Sequence, residues 1–322
     1  MAGVNAGQRG LRYAFGTLRL DSPVPLPGFD HRLAASATTE HGRRFAFRLV
    51  TTAEPAVVSG PVVVGGLMPG RLAIRRYPGG HVFTAAGFAA CTLLADRETL
   101  RWHLSAPPTA ADAEFLVSTV LPRVASAQGA LVLHAATLAA PCGAVLLCGA
   151  SGAGKSTLCS AVAASTGWGL IGDDAVALDL TPGHAAASHP DSSRPDSDHG
   201  PVLAYGFNPD VRTRVSQLVG ATKHRTTVGQ PPIGAVPAMV VIRLVPGRPE
   251  LARRVPRPTE RLIALRDNVL RLDRVDPQAA IGELAALAAL TRRVPVVELQ
   301  HARTSQSIQA TAEEIAMIGA GR

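Results

Sequence analysis

The stretch that most constrains this chain is Gly149-Ala150-Ser151-Gly152-Ala153-Gly154-Lys155-Ser156-Thr157. It satisfies Gly-x4-Gly-Lys-Ser, and its flanks agree: an apolar β run, Ala144-Val-Leu-Leu-Cys148, precedes it and a helical pattern follows. Glycines at 149, 152 and 154 let backbone N–H groups converge on phosphate oxygens without side chains in the way, and the following helix adds its positive N-terminal end. Lys155 would supply a point charge to the β and γ phosphates, and Ser156 a hydroxyl ligand for Mg²⁺. Of 32 basic residues only Lys155 and Lys223 are lysines, so a Lys here fits a site too narrow for a guanidinium fork. A glycine-rich turn without a ligand would not need this strand–loop–helix context.

The pattern around the loop predicts two domains. Residues 11–104 read as short strands separated by turn chemistry: Leu11–Asp21, Arg44–Thr52, Pro61–Val64, Arg71–Arg76, His81–Ala86 and Leu100–Leu104, with Pro-Gly pairs at 27–28, 69–70 and 78–79. Leu116, Val120 and Val124 then recur at helical spacing, with Pro122 expected to kink or divide the helix. This gives a mostly β domain with a connecting helix over 1–128 and an α/β domain over 129–322. The second is expected to run strand (131–138), strand (144–148), loop, helix (155–165), strands (168–171 and 175–180), strand (238–245), helix, helix (279–290) and strand (294–299). The first of those last two helices should carry Leu262, Leu265, Val269 and Leu272 on one face, with Thr259 as candidate N-cap. Residues 181–201 hold Pro, Gly, Ser, Asp and His184, His189 and His199 without periodicity, which predicts a mobile insertion over 185–200.

Two further features bear on chemistry. Asp173 and Asp174 follow the apolar run 168–171 and Gly172. Phosphoryl transfer needs Mg²⁺ held against the phosphates and an acceptor hydroxyl oriented or deprotonated, and adjacent carboxylates can divide those roles. In extended backbone their side chains would face opposite ways. A solvated Asp-Asp turn is the other reading. His134 lies on the strand before the loop strand, where a histidine satisfied within the core is the alternative to a functional one.

Together these residues resemble a family. Leu133-His-Ala-Ala-Thr-Leu-Ala139, the loop 149–157 and Gly172-Asp-Asp174 resemble the HPr serine kinase/phosphorylase family and its relatives, with a phosphoenolpyruvate-carboxykinase-like nucleotide fold. Tyr13-Ala-Phe-Gly16 through Val24-Pro-Leu-Pro27 is similar to the opening of HPr-kinase-like proteins found with ribosomally made peptides, including lasso-peptide kinases. The resemblance is specific over 129–180, weaker over 11–30 and thin beyond 200. It implies a P-loop kinase core behind a mostly β domain, with Lys155 as the phosphate-binding lysine, Ser156 as magnesium ligand, Asp174 as general base and His134 as a supporting residue; the division of roles between the adjacent acids then leaves Asp173 as the catalytic-site carboxylate on the metal side. It also implies ATP and Mg²⁺ as cofactors, and a hydroxyl-bearing peptide or protein, a ribosomal precursor peptide among the candidates, as acceptor. Homo-oligomers are common in the family, though nothing in this sequence requires one.

The departures matter too. Residues 185–207 hold no Glu, so the family's glycine-rich metal-binding signature is missing, which argues against phosphorylase activity and against HPr as the substrate. The family's downstream Arg has only compositional candidates: Arg253, Arg254, Arg257 and Arg266. Two other readings stay open: a kinase of a free amino acid or sugar, and a nucleotide-gated module or ATPase. Against a transporter-type ATPase, the apolar run 239–245 carries Arg243 where an acidic metal ligand would be wanted.

The net charge of +8 comes from dispersed arginines, and with aromatics at 4% there are no interleaved stacking rings, so no nucleic-acid partner is expected. The first thirty residues lack the apolar core of a signal peptide, and the longest apolar stretch, 131–150, is broken by His134, Pro141 and Gly143. Cys91, Cys142, Cys148 and Cys159 lack metal-ligand pairing. A cytoplasmic protein with reduced thiols and no membrane partner is expected.

Overall fold

The computed structural model describes residues 10–16, 18–33, 45–65, 72–181, 201–208, 210–214, 223–227, 236–247, 250–302 and 304–322. The insertion expected over 185–200, with His184, His189 and His199, lies outside the described residues. The fold is mixed α/β with a strand-rich N-terminal region. It divides into two compact units, residues 1–128 with 271–279, and 129–270 with 280–322.

In the first unit, β1 (Leu11–Phe15), β2 (Leu18–Ser22), β3 (Phe45–Thr52), β4 (Val62–Gly65), β5 (Ala73–Tyr77), β6 (Gly80–Thr84), β7 (Cys91–Leu94) and β8 (Thr99–His103) form one sheet in the order β1-β2-β3-β8-β7-β6-β5-β4. Along β3, Phe45, Phe47 and Leu49 are buried while Ala46, Arg48 and Val50 are exposed, the period-two signature of a sheet with one face inward. The expected strand 11–21 is a hairpin, broken at Gly16 with its positive φ of 60°. The connecting helix is divided: α1 (Ala110–Phe115), a π turn (Leu116–Val120) and α2 (Leu121–Ala127). Pro122 has no N–H and its ring crowds the carbonyl a turn earlier, and the widened turn just before it relieves that conflict.

The returning segment 271–279 is fixed within this unit by Asp273, whose carboxylate accepts from Arg76 at 3.1 Å and lies 3.4 Å from His81 Nε2.

The second unit comprises β9 (Leu131–Leu133), β10 (Ala135–Ala140), β11 (Gly143–Cys148), α3 (Lys155–Thr166), β12 (Gly169–Gly172), β13 (Val176–Asp179), β14 (Leu203–Gly206), β15 (Asp210–Arg214), β16 (Lys223–Thr227), β17 (Val236–Pro246), β18 (Ala252–Arg254), α4 (Pro258–Arg266), α5 (Pro277–Arg293), β19 (Val296–His301) and α6 (Ser305–Gly319). The main sheet has nine strands in the path β12-β10-β11-β17-β14-β13-β9, with β19 beside β17 and β18 beside β19. β11, β17 and β19 run parallel, while β10 is antiparallel to both β11 and β12. β11 and β12 therefore share a direction, and α3 supplies the crossover such a pair requires.

The buried side chains of β11 alternate between two cores. Val145 and Leu147 join Leu158, Val162, Ile315 and Ile318 in the core beneath α3 and α6, whereas Ala144, Leu146 and Cys148 join Leu265, Val269, Leu287 and Leu290 on the opposite face. A strand covered on both sides reads as an unbroken apolar run, which is why 144–148 shows no alternation in sequence.

Three expectations are corrected. The strand expected over 131–138 breaks at His134: β9 pairs with β13, and β10 pairs with β11 and β12. The helix expected to carry Val269 and Leu272 ends at Arg266, and its N-cap is Arg257 rather than Thr259. Pro258 at the first helical position and Glu260 Oε2, accepting from Arg257 N at 2.9 Å, set that start. The helix α6 was missed, although Ile308, Ala312, Ile315 and Ile318 pack on the core at helical spacing. Its last residue, Gly319, lies so close to the ring of Trp168, just beyond α3, that a Cβ there would collide with it.

The tightest crossing lies between β12 and β14. A Cβ on Gly206 would run into the Ile171 carbonyl, and one on Gly172 would sit 3.0 Å from Gly206 Cα. Gly206→Ala is expected to lower unfolding stability by about 1–3 kcal/mol through forced backbone displacement, read as a shifted denaturation midpoint. In the first unit, burial lowers the His81 pKa against the opposing bond from Asp273, with Arg76 and Arg97 adding to the lowering. The native state thus takes up this proton less readily than the unfolded chain, so stability should fall as pH drops below the ordinary histidine value of about 6.5. His81→Gln should flatten that limb in denaturation midpoints measured from pH 5.5 to 7.5.

Candidate functional site

The site is assembled where β11 meets α3. Three glycines in the connecting loop have positive φ: Gly149 at 149°, Gly152 at 80° and Gly154 at 91°. Gly149 also has no room for a side chain, since a Cβ would approach the Leu244 carbonyl oxygen of β17 to 2.8 Å. A Cβ on Gly152, by contrast, would meet nothing within 4 Å, so the loop's crest is open. Ala150, Ser151, Gly152 and Thr157 are exposed, whereas Ala153 and Lys155 are buried.

Lys155, the first residue of α3, folds back over the loop: Nζ donates to the Gly149 carbonyl at 2.8 Å and to that of Ala150 at 3.3 Å. On the next residue, Ser156 Oγ donates to Asp173 Oδ1 at 2.9 Å. Asp173 is buried just beyond β12, and its amide is held by the Asn208 carbonyl at 3.1 Å. A hydroxyl and a carboxylate so placed form a pair of hard oxygen donors at the foot of the loop, the chemistry a Mg²⁺ ion accepts.

The acidic pair is not in extended backbone. Asp173 and Asp174 form a bend between β12 and β13, and Asp174 has φ 70°, a left-handed conformation that Asp tolerates better than most residues. The opposite-face expectation for the pair therefore does not apply. His134 Nδ1 lies 2.8 Å from the Asp174 carbonyl. A carbonyl can only accept, so the hydrogen sits on Nδ1, and in the neutral ring the lone pair is on Nε2. The break between β9 and β10 places His134 there.

Two residues at the site carried no recognised sequence signal. Buried Asn268, just after α4, accepts from Gly149 N through Oδ1 at 2.9 Å and donates through Nδ2 to the Ala264 carbonyl at 3.0 Å. Buried His301, at the end of β19, reaches the loop with Nε2 3.2 Å from the Ala153 carbonyl. Neither belongs to a motif; each is marked only as a polar residue bordering an apolar run.

The arginine candidates are dispersed. Arg254 bonds Glu260 at 3.0 Å and Glu298 at 3.4 Å, and Arg253 reaches Glu314 at 3.4 Å. Arg257 serves as the α4 cap. Arg243, beside Cys148 in register, bonds Glu298 at 2.9 Å. Burial works against ionisation of Glu298, yet hydrogen bonds from Gln300, Arg254 and Arg243 hold its carboxyl below the usual range. Among the described residues no three His, Cys, Asp or Glu side chains cluster as a metal site. No helix of the described residues is long and apolar enough to cross a membrane.

All four cysteines carry free thiols. Burial pushes Cys148 up to about 12 despite nearby Lys155, and pushes Cys159 well up with Asp173 reinforcing it. Both thiols beside the loop are thus neutral and unsuited to nucleophilic work. Alkylation of the native protein with iodoacetamide at neutral pH should label exposed Cys142 and leave Cys91, Cys148 and Cys159 unmodified, as read by peptide mass spectrometry.

The sequence matches no protein-family model, and no curated protein resembles it at a significant level.

Proposed function

We propose that this chain is an ATP-dependent kinase of the HPr-kinase-like type, transferring the γ-phosphoryl group to a hydroxyl, that of a serine in a peptide or protein. The observation that carries this reading is the Ser156–Asp173 pair at 2.9 Å, set at the foot of an open glycine loop beside Lys155. Motif and geometry support it independently, since the loop pattern says nothing about where residue 173 should fall. The peptide or protein acceptor rests on the resemblance over 13–27 and 133–174.

The residues fit the nucleotide and its metal. Ser156 and Asp173 would hold Mg²⁺, which supplies charge neutralisation at the β and γ phosphates. Lys155 would exchange the carbonyls of Gly149 and Ala150 for phosphate oxygens. Gly152 and Gly154 keep the loop clear of side chains so that backbone N–H donors can approach the phosphates. Asp174 is the candidate base for the acceptor hydroxyl, and His134 steadies the bend that presents it by bonding its carbonyl.

Three substitutions test this. Lys155→Ala should lower transfer by roughly 10²–10³, the usual worth of a fixed electrostatic contact to the reacting group. Asp174→Asn should retain Mg²⁺–ATP binding yet lower single-turnover transfer by roughly 10²–10⁴, whereas Asp173→Asn should chiefly raise the magnesium requirement. The assay is phosphopeptide formation from γ-labelled ATP, with serine-containing peptides and free serine as acceptors, alongside calorimetric titration of nucleotide. Phosphate release that ignores every acceptor would identify an ATPase instead, and reversal of the two Asp phenotypes would exchange their roles.

A further inference from the structure

We infer that Asn268 is a positioning residue that sets the glycine loop and the His134 break in one fixed relation, with α4 as its anchor. Four bonds converge on it. Its side chain accepts from Gly149 N at 2.9 Å and donates to the Ala264 carbonyl at 3.0 Å. Its main-chain carbonyl accepts from His134 N at 2.6 Å, and its own N–H donates to the Leu265 carbonyl at 2.9 Å. The amide orientation is dictated by the partners, because a backbone N–H can only donate and a carbonyl can only accept. A primary amide satisfies both at once through two separate atoms, Oδ1 toward the loop and Nδ2 toward α4.

The placement gives these bonds their consequence. Gly149 opens the loop, and His134 holds the carbonyl of Asp174. One buried residue therefore touches the first amide on the phosphate side and the strand break on the acid side. Its anchor is firm at the far end as well: α4 begins with Arg257 N bonded to Glu260, and Glu260 pairs with Arg254 beside Glu298. After the turn at Asn268 the chain runs to Leu270, whose N–H donates to the Val132 carbonyl at 2.8 Å, so the run 268–270 is stitched along β9 as well as to the loop.

The coupling itself is independent of the ligand, while its use in nucleotide binding rests on the kinase reading. Asn268→Leu removes both side-chain bonds while keeping the same branching and number of side-chain heavy atoms, and leaves the Gly149 N–H without its acceptor; Asn268→Asp keeps that acceptor but sets an oxygen against the Ala264 carbonyl. Hydrogen exchange of the ligand-free protein should quicken in peptides covering 149–155 and 131–136 together in the Leu variant, and less in the Asp variant, with β17 and β19 unchanged. Mg²⁺–ATP affinity should weaken roughly tenfold in the Leu variant, more than KM for the acceptor changes. A lowered melting temperature with unchanged exchange at both peptides would overturn the inference, as would quickened exchange confined to α4. So would unaltered Mg²⁺–ATP affinity in a folded variant of a protein that binds it. If the wild-type chain binds no nucleotide while exchange still responds at both peptides, the kinase reading falls and the coupling stands. Should Asn268→Leu fail to fold, the Asp variant gives the same decision from the same two peptides.

Discussion

The parallel pairing of β11 with β17 governs the chemistry of the second unit. Both strands are buried, and the register that puts Leu147 beside Ile242 and Cys148 beside Arg243 brings the end of β11 against the backbone of β17. The chain leaves Cys148 with the Leu244 carbonyl in its path, which only a residue without Cβ accommodates. Gly149 is thus a packing requirement of the sheet before it is part of any binding loop. From that point the turn, the start of α3 and the position of Lys155 follow with little freedom.

The acidic side obeys a similar rule. β12 and β14 meet at Gly172 and Gly206, where a side chain has no room at Gly206 and would be crowded at Gly172, and the bend that follows delivers Asp173 to Ser156. Backbone proximity brings the two halves together. Electrostatics then sorts the neighbours. Nearby thiols stay neutral, and Glu298 is engaged by arginines from β17 and β18. Arg243 and Arg254 therefore serve first to neutralise a buried carboxylate.

Much of this was legible in the sequence because it is local. The glycine loop, α3 and the strand before it announce themselves through spacing and periodicity within a short window. The first unit's strands were legible where alternation was clear, as at Phe45, Phe47 and Leu49, but β7 was not, because Cys91, Thr92 and Leu93 are all buried and show no alternation. The break at His134 was hidden because the residues on either side of it, 131–133 and 135–138, are all buried, and a change of pairing partner between two buried runs leaves no trace in their composition. Asn268 and His301 were invisible for a different reason. Their partners, Gly149 and Ala153, are distant in sequence, and the bonds they make are to backbone groups that every residue possesses. The left-handed Asp174 likewise depends on the turn it must make, which adjacent letters do not specify.

The packing of α6 on α3 carries a consequence for how the chain acquires its structure during synthesis. Leu158, Val162 and the flanking Trp168 face Ala312, Ile315, Ile318 and the cramped Gly319. The ribosome delivers α3 long before α6, so the nascent helix presents an uncovered apolar side throughout translation of the intervening strands. The loop at its N-terminus is then attached to a helix that has not yet found its seat. The geometry of the glycine loop should therefore mature late, in step with the arrival of α6, and a nascent chain arrested before that helix emerges would offer its exposed face to chaperones.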